Sequence, residues 1–218
     1  METLLIQADR AVLPGGVLEE DPVYVAVEGG RISGVFRGRS SAPVTDYPTM
    51  HTPLLCPGFV DTHTHGLGGA EDVVDFWLQP EHSQRLFPRY GTTSFLATVV
   101  LPRGHAKTQA TLDVLNERCG KTGYGAVLEG IHAEGPVVND LGGLPPSHQD
   151  LTLTEFQSLL DSMPSLRMMT ISPHLDTSNN YLRIQALVNR SSNRSMMHVP
   201  LTCSSAKLIH WETFNEEK

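Results

Sequence analysis

Two short stretches of this chain carry residue types that do chemistry together. One is His63-Thr64-His65, closing the run Pro57-Gly58-Phe59-Val60-Asp61-Thr62; the other is Gly130-Ile131-His132-Ala133-Glu134-Gly135-Pro136. Side chains at i and i+2 of a strand leave the same face, so His63 and His65 converge, as do His132 and Glu134. Imidazole nitrogens and a carboxylate oxygen suit a divalent cation, zinc best, with iron, cobalt or manganese accepting the same donors. A cation held this way brings the pKa of a bound water to about 7 and polarises a carbonyl oxygen, which is the chemistry of amide hydrolysis.

Within these stretches His63, His65 and Glu134 read as metal ligands. Gly135-Pro136 ends a strand and turns the backbone, which leaves the Glu134 carboxylate at the mouth of the fold. His132 reads instead as a buried histidine bonded to backbone. His105, His174, His198 and His210 fall in loops or the tail and read as solvent-facing. Gly66-Leu67-Gly68-Gly69 lacks the Lys-Ser/Thr that completes a phosphate cradle, and reads as a mouth loop. No Gly-x-Ser-x-Gly elbow, Cys-x-x-Cys pair or Gly-x-Gly-x-x-Gly fingerprint is present, so serine hydrolase, zinc-ribbon and dinucleotide chemistry are set aside in their usual forms.

Donors of this kind must be aimed by strand ends. From Leu54 onward apolar strands alternate with helical stretches: strands are expected over 54–63, 92–98, 126–134 and 168–172, and helices over 80–90, 105–119, 154–162 and 181–189. That alternation implies parallel βαβ units. Both donor stretches finish strands at their C-terminal ends, where a βα barrel builds its site, so the fold class expected is α/β with a partial (β/α)8 TIM-like barrel of about four βα units. A complete eight-unit barrel takes about 250 residues, more than the 218 present. Ahead of it, residues 23–27, the turn Glu28-Gly29-Gly30 and residues 31–36 read as a β-hairpin. Three segments follow: an N-terminal β region over 1–53, the first half of a hydrolase barrel over 54–190, and a divergent, proline-interrupted tail over 191–218.

Composition narrows the partners. The formal charge of −8 comes with no Lys/Arg stripe, which argues against nucleic acid. Three scattered cysteines, no basic n-region with a long apolar core, and no long apolar window give a chain read as cytoplasmic, with no membrane partner.

On the two donor stretches, together with Tyr90-Gly91-Thr92-Thr93-Ser94-Phe95-Leu96-Ala97-Thr98, the chain resembles the amidohydrolase superfamily, specifically N-acetylglucosamine-6-phosphate deacetylase-like proteins. The similarity runs over residues 1 to about 190. It implies a β-sandwich beside a (β/α)8 barrel, the N-terminal β region being half of that sandwich. It further implies a divalent cation on His63, His65 and Glu134, release of acetate from an amino-sugar phosphate, and a homodimer. The family's two further histidines and its catalytic Asp come from later strands; no residue here matches them, so no catalytic residue is assigned. The family's Lys-Gly-Ala-His substrate stretch is replaced by Asp140-Leu141-Gly142-Gly143-Leu144-Pro145-Pro146-Ser147-His148, in which His148 is the residue left for substrate binding. A C-terminally truncated chain is the expectation, with a catalytically dead fragment, or a related amidohydrolase acting on another amide, as the alternatives.

Overall fold

The computed structural model describes residues 2–67, 75–101, 105–138, 151–179 and 182–192. The chain divides into two compact units, Met1–Gly58 and Phe59–Lys218. The first is a five-stranded sheet of β1 (Thr3–Leu13), β2 (Val17–Glu19), β3 (Val23–Glu28), β4 (Arg31–Arg37) and β5 (Thr49–Leu55). β1 pairs antiparallel with β2 and β3 and parallel with β5, and β3 and β4 form the expected hairpin. Gly29 and Gly30 turn it at φ 56° and 76°, the left-handed region that a Cβ disfavours. Period-two alternation sorts β3 onto two faces: Val23 and Val25 join Ala11 and Leu13 in one cluster, Tyr24 and Ala26 join Leu5 in another.

The single strand expected over 54–63 is two strands. β5 stops at Leu55 and β6 (Phe59–Thr64) starts beyond Cys56-Pro57-Gly58. Pro57 has no N–H to continue a ladder, and the two strands join different sheets.

The second unit is a parallel sheet in the order β6, β7 (Thr92–Val100), β8 (Val127–Glu134) and β9 (Leu166–Thr170). Helices α1 (Pro80–Leu86), α2 (His105–Arg118), α3 (Leu153–Asp161) and α4 (Leu182–Ser192) alternate with these strands. The molecule is therefore mixed α/β, with a half-barrel type of parallel sheet and a largely antiparallel one. The helix expected over 80–90 is shorter: α1 gives way to a 3-10 turn, Phe87–Tyr90, where Pro88 withholds an amide and Gly91 at φ 83° ends the run. Thr152 and Glu155 form a reciprocal capping box that starts α3.

The core lies where the sheet meets its helices. Phe95, Ala97 and Val99 of β7, Ile131 and Ala133 of β8 and Met169 of β9 are buried in one cluster with Leu112 and Leu115 of α2, Phe156 and Leu160 of α3 and Leu187 of α4. Each large side chain so buried contributes about 1.5–3 kcal/mol relative to an exposed one. Gln84 secures the start of β8, its Nε2 donating to Ala126 O at 2.9 Å and its Oε1 accepting from Arg118 Nε at 2.8 Å. Arg118 in turn lies 3.2 Å from the centroid of the Tyr124 ring. That tie sits at the N-terminal end of the sheet and leaves the opposite end for chemistry.

Candidate metal centre

All three ligand candidates stand at the C-terminal end of the parallel sheet. His63 is the next-to-last residue of β6, His65 lies one residue past its end, and Glu134 closes β8. The potential ligand atoms of His63, His65 and Glu134 lie within 4.8 Å of one another. Glu134 Oε2 is 3.1 Å from His65 Nε2 and 3.5 Å from His63 Nε2. Yet that buried oxygen receives no well-directed hydrogen bond. A buried carboxylate oxygen facing two imidazole nitrogens with no hydrogen bond directed at it is the arrangement a cation completes, so the donor set fits one.

Electrostatics favour the charged carboxylate. His65 beside it is the main influence holding Glu134 below its ordinary range, against the opposing effect of burial. The backbone beyond fixes its direction: Gly135, at φ 97°, donates its N–H to Thr170 O at 3.2 Å, and Ser172 N–H reaches Val137 O at 2.7 Å. A side chain at Gly135 would be strained in that conformation.

His132 is 2% exposed and sits one step below the cluster. Its Nδ1 lies 3.0 Å from Thr62 O and its Nε2 2.9 Å from Thr170 Oγ1. A carbonyl only accepts, so Nδ1 carries the proton and Nε2 accepts from the Thr170 hydroxyl. Burial, and then the neighbouring His63, lower its pKa to about 4. Its expected backbone-bonded character is met, and both ring nitrogens are engaged.

The sequence signalled the donors and not their supports. Thr98 and Thr170 lie in register with His132 and Glu134, whereas Thr62 acts through its backbone carbonyl, which no side-chain pattern marks. His174 is exposed. His148, His198, His210, Gly68 and Gly69 lie outside the described residues, as does the side chain of His105 at the start of α2.

No family model matches the chain. Over 142 residues it is 34% identical to N-acetylglucosamine-6-phosphate deacetylase of Bacillus subtilis (strain 168), covering 63% of this chain and 35% of that protein. Over 188 residues it is 28% identical to N-acetylgalactosamine-6-phosphate deacetylase of Escherichia coli O157:H7, covering 83% of this chain and 47% of that one. An N-acetyl-D-glucosamine-6-phosphate deacetylase variant from Mycobacterium smegmatis, solved in complex with N-acetyl-D-glucosamine-6-phosphate, superposes with a TM-score of 0.67 at 25% identity, covering 92% of this chain and 50% of that chain. Two of these relatives are N-acetylglucosamine-6-phosphate deacetylases and one is an N-acetylgalactosamine-6-phosphate deacetylase. It spans half or less of the length of these relatives, between 35% and 50%. Among the described residues no helix is long and apolar enough to cross a membrane.

Proposed function

We propose that this chain carries part of the active centre of a metal-dependent amino-sugar deacetylase, with His63, His65 and Glu134 as metal ligands. One observation carries the reading: a buried carboxylate oxygen that lacks a directed hydrogen bond lies 3.1 and 3.5 Å from two imidazole nitrogens, at the strand ends where βα folds build their sites. The names of the relatives supply the substrate class, an N-acetylated amino-sugar 6-phosphate, and the products are acetate and the free amine.

A divalent cation there, zinc by donor type, supplies Lewis-acid polarisation of an amide carbonyl and a water acidic enough to attack it. The chain's own residues prepare that chemistry. Glu134 is kept ionised, so it presents negative charge to a cation near neutrality. The side chain of His63 is half-exposed, which leaves an approach for substrate from the strand ends. His132 stays neutral beneath and adds no competing positive charge. In this reading the four parallel strands are the first βα units of a (β/α)8 barrel, and the N-terminal sheet, which runs to Leu55 rather than ending at residue 53, is part of a β-sandwich. The protein acts on a small-molecule substrate in the cytoplasm as a homodimer, with His148 as a substrate contact.

Two measurements on the purified chain test this together: its content of divalent metal, and acetate release from N-acetylglucosamine-6-phosphate. Bound metal with acetate release is the expected result. A chain that binds no divalent cation at neutral pH removes the proposal, and metal without turnover leaves the inert-fragment alternative.

A further inference from the structure

The pairing of β6 with β7 is interrupted where the site begins. Asp61 pairs with Phe95 and Thr64 with Ala97, so β6 advances three residues while β7 advances two, and Thr62-His63 bulge out of register. A bulge of this kind interrupts the ladder and re-aims a side chain. Here side chains of β7 and β8 hold the backbone on both sides of His63. Thr64 N–H donates to Thr98 Oγ1 at 2.9 Å, and His132 Nδ1–H donates to Thr62 O at 3.0 Å. The His63 N–H is taken by Asp61 Oδ1 at 3.1 Å. The holding groups are themselves fixed: Trp77 Nε1 donates to Thr98 O at 2.7 Å, and the Thr170 hydroxyl of β9 donates to His132 Nε2 at 2.9 Å. Thr98 Oγ1 also lies 3.3 Å from His132 Nδ1, and the His132 ring stands edge-on to that of His63, centroids 4.8 Å apart at 85°.

We infer that His132 is a positioning residue: with the Thr98 hydroxyl it stands in for strand pairing at the β6 bulge and so aims His63 at Glu134. From β8 this one ring reaches side-chain or backbone atoms of β6, β7 and β9. A generic core residue would fill the same space with an alkyl group. What distinguishes His132 is a donor at Nδ1 opposite a carbonyl that belongs to the residue before His63. The inference rests on the proposed metal centre for what His63 does, and on the bulge alone for how His63 is held.

The test compares His132→Leu with His132→Asn in the full 218-residue chain. The Asn side-chain amide offers an N–H near the place of Nδ1–H, whereas Leu offers none. With cobalt(II) as probe, His132→Leu is expected to weaken binding about 10–100-fold and alter the visible spectrum, while His132→Asn stays within about threefold of the parent. In the metal-free chain, amide hydrogen exchange at His63 and Thr64 is expected to accelerate about tenfold in His132→Leu and to be largely restored in His132→Asn, the size of one lost hydrogen bond. Should His132→Leu not fold, Thr98→Val repeats both readouts, with loss of Thr64 protection expected. Equal effects of Leu and Asn, or unchanged exchange in His132→Leu, would overturn the inference, as would unchanged Thr64 exchange in Thr98→Val. A parent chain that binds no cobalt(II) instead removes the metal reading, and the exchange comparison then decides the positioning role by itself.

Discussion

Two carboxylates in the second unit, each with a buried oxygen, are treated in opposite ways. Asp176, 0% exposed, is saturated: it accepts from Arg183 Nε at 2.6 Å, Arg183 N–H at 3.1 Å and Ile184 N–H at 3.2 Å, capping the start of α4. Its partner Arg183 also donates from Nη1 to Leu151 O at 3.3 Å and from Nη2 to Leu175 O at 3.1 Å. Glu134 is surrounded by donors of the right type whose directions do not close on its buried Oε2. A saturated buried ion pair has nothing left to offer a ligand and acts as scaffolding. An unsaturated convergent set is costly to keep unless something else completes it.

The comparison breaks most easily at Asp176. Asp176→Asn strands a buried guanidinium and is expected to lower the unfolding free energy by about 3–5 kcal/mol while cobalt(II) affinity per folded molecule stays unchanged; urea denaturation and metal titration together read both. Glu134→Gln should do the reverse. It is expected to weaken divalent metal binding beyond the about 100-fold typical of outer supports, with stability within about 1 kcal/mol of the parent. If Glu134→Gln costs as much stability as Asp176→Asn, the two carboxylates do the same job and the contrast fails.

Acid sharpens the same contrast. The pKa of His132 is lowered from 6.5 to about 4 in the folded chain, so the unfolded chain binds the extra proton first as pH falls. Stability from this group is complete above 6.5, declines through the window down to about 4, and is gone below it. Glu134, also lowered, contributes in the same direction, its share lost as pH falls below its ordinary value. Urea midpoints measured from pH 7.5 to 4 should therefore fall, and more gently in His132→Asn, which has no proton to take up; equal slopes would detach the pH response from the site. The smallest effect belongs to an exposed, satisfied carboxylate. Glu155 Oε2 accepts from Thr152 N–H at 2.8 Å and from Thr152 Oγ1 at 2.7 Å, and Thr152→Ala is expected to cost about 1 kcal/mol in thermal or urea unfolding.

Much of this arrangement was legible before any fold. The alternation of apolar strands with helical stretches located β7, β8 and β9 and all four helices to within a few residues, because period and turn chemistry are local properties. The i, i+2 spacing of His63 and His65 put both rings at one strand end, and Glu134 before Gly135-Pro136 stood at another. Less legible were features that depend on a partner distant in sequence. The parallel pairing of β5 with β1 and the Gln84–Arg118 tie beneath β8 each need a neighbour that local pattern does not name.

What the chain's order of residues determined by itself is the inventory: which donors exist, which strands carry them, and that both stretches end at the same side of a parallel sheet. Tertiary structure decided the rest. It brought a residue of β8 within 3.1 Å of an imidazole after β6 although β7 lies between the two strands. It also slipped β6 by one residue against β7 and set the Thr98 hydroxyl and the His132 ring against the backbone on either side of His63. The physical reason is range. Periodicity and turn preference act over a few residues, whereas register, bulges and the saturation of a buried carboxylate are settled only when strands from distant parts of the chain compete for the same hydrogen bonds.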